Sequence, residues 1–132
     1  MAHDIVDGVG YAAEHTFGQN QRQDIINKYS YEVTKSYDDF LKLFNSCNDS
    51  KLKSLFFDGD TSAYGNDDSA ADMALMIKLA FYTNSNAPQM ERLFNKSKLG
   101  QREKWINRQD YRQRTIANAL QWWNDNDKNL IQ

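Results

Sequence analysis

The sequence predicts an all-α protein, a compact bundle of five or six helices with an irregular N-terminal arm. Three observations carry this. Apolar residues recur at three- and four-residue spacing through most of the chain after Ser36, the period of a helix face. The alternating apolar runs joined by a tight turn that mark β-hairpins are missing; Asp58-Gly59 is followed by Asp-Thr-Ser rather than by a strand. There is one proline in 132 residues, so little interrupts helical backbone.

Residues 1–30 are expected to form the arm. Met1–Asn20, with Gly8, Gly10 and Gly18, lacks sustained periodicity, and Gln21–Ser30 carries a short helical pattern through Ile25, Ile26 and Tyr29. The bundle is expected over residues 31–124. Ser36-x-x-Asp39 matches a capping box, in which the serine oxygen accepts a first-turn N–H. Tyr37, Phe40, Leu41, Phe44 and Cys47 then share one face. A second capped segment opens at Asp49 and Ser50, with Leu52, Leu55 and Phe56 inward, Lys51 and Lys53 outward, and Gly59 as its stop. Gly59–Asn66 reads as a loop.

The strongest helix runs from Ser69 to Thr83. Asp67, Asp68 and Ser69 offer caps, and the aspartates suit the positive end of the helix dipole. Met73, Leu75, Met76, Ile77, Leu79, Ala80 and Phe81 are apolar almost all round, which predicts a central helix. Asn84-Ser85-Asn86 is a turn, and Pro88 fits the first turn of the next helix, whose stripe is Met90, Leu93 and Phe94. Gly100 breaks the chain before a short segment, Gln101–Asn107. The last helix starts near Asp110 with Ile116, Ala119, Leu120 and Trp123 inward, and residues 125–132 are expected to fray.

A mass of 15.4 kDa is enough for one domain with one modest core. Apolar residues at 40% and charged residues at 26% are an ordinary globular profile, which excludes a disordered polyelectrolyte. No apolar run approaches the roughly 20 residues of a membrane span, and Met1–Asn20 has no hydrophobic signal core. A cytoplasmic protein without membrane contact is the expectation. Cys47 is the single cysteine, so neither an internal disulfide nor a cysteine-based zinc site is available.

The net charge of −2 hides an asymmetry. Up to Asp72 there are six basic and thirteen acidic residues, a net of −7, and beyond it ten basic and five acidic, a net of +5. Such asymmetry points to nucleic acid or to a charged partner surface. Asp58, Asp60, Asp67, Asp68 and Asp72 form an acidic run without a base. Arg92, Lys96, Lys98, Arg102, Lys104, Arg108, Arg112 and Arg114 form the basic counterpart.

Motifs for phosphate loops, dinucleotide turns and His-Glu-x-x-His zinc sites are missing. His3 and His15 lie in the unpatterned arm, and no metal site is expected. Cys47, on an apolar helix face, reads as a buried inert thiol. Asp58-Gly-Asp60 suits either a carboxylate pair for a divalent cation or a loop whose aspartates cap backbone N–H groups. Met73, Met76 and Met90 read as core. The basic segment is the strongest functional signal: its cations displace counterions from a phosphate backbone, and Trp105 and Tyr111 among them are candidates to stack on unpaired bases or simply to plug the core.

The ordered series Gly59-Asp-Thr-Ser-Ala-Tyr, Asp68-Ser-Ala-Ala-Asp-Met-Ala-Leu, Leu79-Ala-Phe-Tyr-Thr and Gln89-Met-Glu-Arg-Leu-Phe-Asn-Lys-Ser, then Leu99, Arg102, Lys104-Trp105, Tyr111 and Arg114-Thr-Ile, resembles the helix-bundle domain of phage and plasmid primase-polymerase and primase-helicase replication proteins. The resemblance spans Tyr37–Trp123. It implies a non-catalytic module that helps engage template DNA and nucleotide during primer initiation, beside a primase-polymerase or helicase, in the cytoplasm of a bacterial host. It implies no cofactor other than that nucleotide. The catalytic domains of those larger proteins have no counterpart in the 132 residues.

Two functional expectations follow. In the first, the module binds single-stranded template DNA, with Arg92, Lys96, Lys98, Arg102, Lys104, Arg108, Arg112 and Arg114 on phosphates and Trp105 and Tyr111 on bases. In the second, a phage or mobile-element protein inhibits a host replication or defence protein by docking the acidic face of Asp58, Asp60, Asp67, Asp68 and Asp72 on it. An independent enzyme is not expected.

Overall fold

The computed structural model describes residues 17–31 and 35–131, the side chains as far as Asn126. The predicted arm up to residue 16, including His3 and His15, lies outside the described residues. Seven α-helices occur among the described residues: α1 (Gln19–Lys28), α2 (Tyr37–Ser46), α3 (Ser50–Lys53), α4 (Asp68–Thr83), α5 (Ala87–Lys96), α6 (Glu103–Asn107) and α7 (Gln109–Ile131). The helix beyond the expected number is α6, where the short segment around Trp105 closes a full turn. None of these helices is long and apolar enough to cross a membrane.

The caps sit where the polar residues place them. Ser36 Oγ accepts the Asp39 N–H at 3.2 Å, Asp49 Oδ1 accepts that of Leu52 at 2.9 Å, and Asp67 Oδ1 accepts those of Ser69 and Ala70. Each satisfies a first-turn donor that would otherwise lack a partner. Helix α3 widens into a π-helical turn over Ser54–Asp58 before Gly59 ends it. Gly59 takes a φ of +66°, and a Cβ there would lie 2.9 Å from Lys98 Cγ. The stretch expected as a plain loop after it contains a 3₁₀ turn at Ser62–Tyr64.

Helix α4 is the axis of the bundle. Every residue from Ala71 to Ala80 is buried, as an all-round apolar sequence requires. Helices α5 and α7 pack on it, and α1 packs on α7. The backbone also ties α1 to α5: Ala87 N–H donates to the Tyr29 carbonyl at 2.8 Å. Phe40 and Phe44 from α2 and Leu52, Leu55 and Phe56 from α3 complete the core beside α4. One apolar residue expected inside is not: Phe81 is 51% exposed and stacks on Trp123, because it lies in the last turn, where α4 leaves the bundle.

Two buried charges on α4 have specific partners. Lys78 Nζ meets Asp49 Oδ2 at 3.0 Å with both side chains almost fully covered. Asp72, with no exposed surface, bonds Tyr111 and Arg102. Gly100 permits a close backbone approach, since a Cβ there would lie 2.0 Å from the Phe94 carbonyl oxygen. The turn it occupies folds the chain from α5 back into α6.

Candidate nucleic-acid interface

The basic residues do not form one patch. Helix α5 carries Arg92 and Lys96 four residues apart on one exposed face. Opposite them lies the chain that enters α2. Between the two runs a groove of about 290 Å³, lined by Lys35, Ser36, Tyr37, Gln89, Arg92, Leu93, Asn95 and Lys96. Lys96 Nζ sits 5.5 Å from the centre of the Tyr37 ring, and Lys35 Nζ 5.4 Å from that of Phe40. Three cations therefore border the groove, and no carboxylate lines it. Gln89 is 5% exposed, and its Oε1 is buried without a hydrogen-bond partner.

Lys35, Tyr37 and Gln89 escape a reading based on clusters of charge. Lys35 is an isolated base before a cap, Tyr37 belongs to an apolar stripe, and Gln89 is one amide after a proline. Their common feature is the approach of the α2 entrance to α5, which no local pattern announces.

A second group gathers around Tyr111 at the start of α7. The Tyr111 hydroxyl donates to Asp72 Oδ2 at 2.6 Å, and Arg102 Nη2 donates to Asp72 Oδ1. Arg102 Nη1 also lies 3.3 Å from Asp68 Oδ2. Lys104 Nζ stands 4.3 Å from the centre of the Tyr111 ring and 3.3 Å from Ser69 Oγ, with Arg108 and Arg114 farther out over the same ring. Burial pushes the Asp72 carboxyl above its ordinary range, outweighing the hydrogen bonds from Arg102 and Tyr111. Burial, and next the hydrogen bond to Asp72, hold the Tyr111 phenol well above its own.

The remaining bases have local duties. Arg112 Nη1 donates to the carbonyls of Trp105 and Ile106 at 2.7 Å each, and its Nε lies 3.6 Å from Glu91. It thus closes the C-terminal end of α6, where a cation is favoured. Arg108 pairs with Asp110 at 3.0 Å. Lys98 has an exposed side chain, and its backbone N–H donates to the Phe56 carbonyl.

The two aromatic residues expected to stack on bases are inside. Trp105 is 1% exposed, its ring centroid 3.9 Å from that of Phe94, and its Nε1–H donates to Asn95 Oδ1 at 2.7 Å. Tyr111 is 5% exposed and edge-on to Trp105. Covered on their faces, both rings are core residues rather than a platform for bases.

The acidic run is also largely engaged within the chain. Asp67 caps α4, Asp68 and Asp72 meet Arg102, and Asp60 Oδ1 accepts the Ser62 N–H at 2.9 Å. The Ser62 side chain's hydrogen bond, and next that backbone one, hold the exposed Asp60 carboxyl below its usual range. Asp60 is thus a turn-forming aspartate, and Asp58 beside it is exposed.

The α4–α7 unit is a helical bundle with a central buried helix and an acid–base junction. Residues 68–129 match the family described as the NrS-1 polymerase HBD domain. The matched span opens at α4, later than the resemblance from Tyr37, so Lys35 and Tyr37 lie ahead of it while Gln89, Arg92 and Lys96 lie within. No curated protein and no solved structure matches the chain.

Proposed function

We propose that this domain is a non-catalytic accessory module of DNA replication that binds single-stranded template DNA through the α5 groove, beside a primase-polymerase or helicase of a phage or mobile element. The observation that carries the reading is the border of Lys35, Arg92 and Lys96 without a carboxylate among the lining residues. Cations left unneutralised by their own chain are what a phosphate backbone recognises. Of the cations around Tyr111, Arg102 faces Asp68 and Asp72 and Arg108 faces Asp110, so these two contribute less. The same pairing weakens the competing reading, in which the acidic face docks on a basic host protein. Those carboxylates already serve Arg102, Tyr111 and the α4 cap.

Fluorescence anisotropy of a labelled single strand, titrated at several salt concentrations, tests the proposal. Three phosphate contacts on a single strand give a slope of log K against log salt of roughly −2. Arg92→Glu and Lys96→Glu each weaken binding and flatten the slope. Absence of binding at low salt, or binding indifferent to salt, overturns the proposal. Stoichiometric capture of a host protein that depends on Asp67 and Asp68 but not on Arg92 would favour the docking alternative.

A further inference from the structure

The start of α7 presents a second cationic surface, apart from the α5 groove. Lys104, Arg108 and Arg114 stand around the Tyr111 ring. Neither Lys104 nor Arg114 forms an ion pair with a carboxylate among the described residues, and Arg108 is half exposed even with Asp110 beside it. Ile106, near the end of α6 and just ahead of these cations, is 55% exposed. Unneutralised cations beside an exposed aliphatic side chain suit an occupant that is acidic and apolar at once.

The chain carries such a segment, and the fold delivers it to this surface. Gln113 Nε2 donates to Gln23 Oε1 at 3.5 Å, and the Tyr29 hydroxyl donates to Asn124 Oδ1 at 3.3 Å. Helix α1 therefore runs beside α7 in the same direction, and Phe17, ahead of its first turn, lies toward the N-terminal end of α7. Residues 1–16 hold Asp4, Asp7 and Glu14 and no lysine or arginine, together with Ile5, Val6, Val9 and Tyr11. At up to about 3.5 Å per residue, Glu14 reaches about 10 Å from Phe17 and Asp7 about 35 Å. A tethered segment also meets a nearby surface at a far higher effective concentration than a free partner does.

We propose that residues 1–16 dock on this surface of their own chain, with Asp4, Asp7 and Glu14 meeting Lys104, Arg108 and Arg114 and the apolar residues covering Ile106. The arm then occupies the cations at the start of α7 and leaves those of the α5 groove open. Part of the negative charge of the first half of the chain is thereby spent against the positive charge of the second. The docking concerns the chain alone and stands or falls apart from the single-strand reading.

A carbodiimide, which joins a carboxylate to an amine in direct contact, tests this on the full chain, with the products mapped by mass spectrometry. Links from Asp4, Asp7 or Glu14 to Lys104 are expected. Their yield should fall severalfold in about 1 M salt, where the screening length shrinks to about 3 Å. In an equal mixture of nitrogen-15-labelled and unlabelled chains, the links should stay within one isotopic form. Arm links mainly to Lys35 or Lys96, links indifferent to salt, links between labelled and unlabelled chains, or no link to Lys104 each overturn the proposal. Amide shifts give a second reading that needs no reagent. Between the wild type and Asp4→Asn/Asp7→Asn/Glu14→Gln, changes outside the arm are expected to gather at Lys104–Arg114. Changes gathered at Tyr37 and Arg92–Lys96 instead, or confined to the arm, overturn it as well.

Discussion

Asp72 and Arg102, 30 residues apart in sequence, form an ion pair at the start of α4. Through it the acidic first half and the basic second half of the chain neutralise one another where they meet. Asp72 has no exposed surface and Arg102 is about a quarter exposed, so the carboxylate pays the larger desolvation cost. Replacing Asp72 by Ala leaves the guanidinium and the Tyr111 hydroxyl facing a void, with a loss of about 3 kcal/mol. Urea unfolding monitored by tryptophan fluorescence measures it.

The same site sets a pH dependence. The folded carboxyl of Asp72 binds its proton more readily than the unfolded one, since burial raises its pKa. The folded state therefore gains stability, relative to Asp72→Asn, as pH falls from neutral through the raised pKa toward the ordinary carboxylate range. Carbon-detected NMR titration should place Asp72 above the exposed aspartates, with Asp60 and Asp110 below their usual values. A midpoint for Asp72 below that of Asp60 would contradict the ordering.

Lys78 and Asp49 are the other buried charge pair. Lys78→Met strands the Asp49 carboxylate and costs about 3–5 kcal/mol. Asp49→Asn retains a side-chain oxygen to cap Leu52, so the double variant Asp49→Asn/Lys78→Met should be more stable than Lys78→Met alone. A thermodynamic cycle over the four proteins gives the coupling; additive losses would show that the pair does not act as a unit.

Gly100 has no room for a methyl group. Gly100→Ala drives a Cβ into the Phe94 carbonyl oxygen, against backbone that cannot swing aside as a flexible side chain does. A loss of about 3 kcal/mol or more is expected, at the upper end for overpacking, visible as a lower thermal midpoint.

Trp105 separates stacking from packing. Trp105→Phe forfeits the hydrogen bond to Asn95 and part of the ring volume against Phe94, and should lower stability by about 1–3 kcal/mol. Its affinity for a single strand, measured on the folded variant, should equal that of the wild type. A selective loss of DNA affinity would restore the ring to the interface.

The helices were legible because their signals are local. Ser36, Asp49 and Asp67 mark starts by hydrogen bonds that reach only two or three residues, and α4 declares its central place by being apolar on all sides. The site was only half legible, for the opposite reason. Net charge shows which segment is basic, but not which cations their own chain already holds. Arg102 and Arg112 look like Arg92 in sequence and differ in what folds against them. Trp105 among four bases suggests a nucleic-acid platform until Phe94 is seen to cover it. The groove itself exists only once the residues ahead of α2 lie along α5.

The contact between Asp72 and Tyr111 spans 39 residues, and this bears on how the chain is made. At synthesis rates of about 5–20 residues per second, roughly 2–8 seconds separate the emergence of the two. Arg102, 30 residues after Asp72, emerges ahead of Tyr111, and until each partner appears water must serve in its place. The Asp72 end of α4 therefore completes its contacts only once the start of α7 has been made.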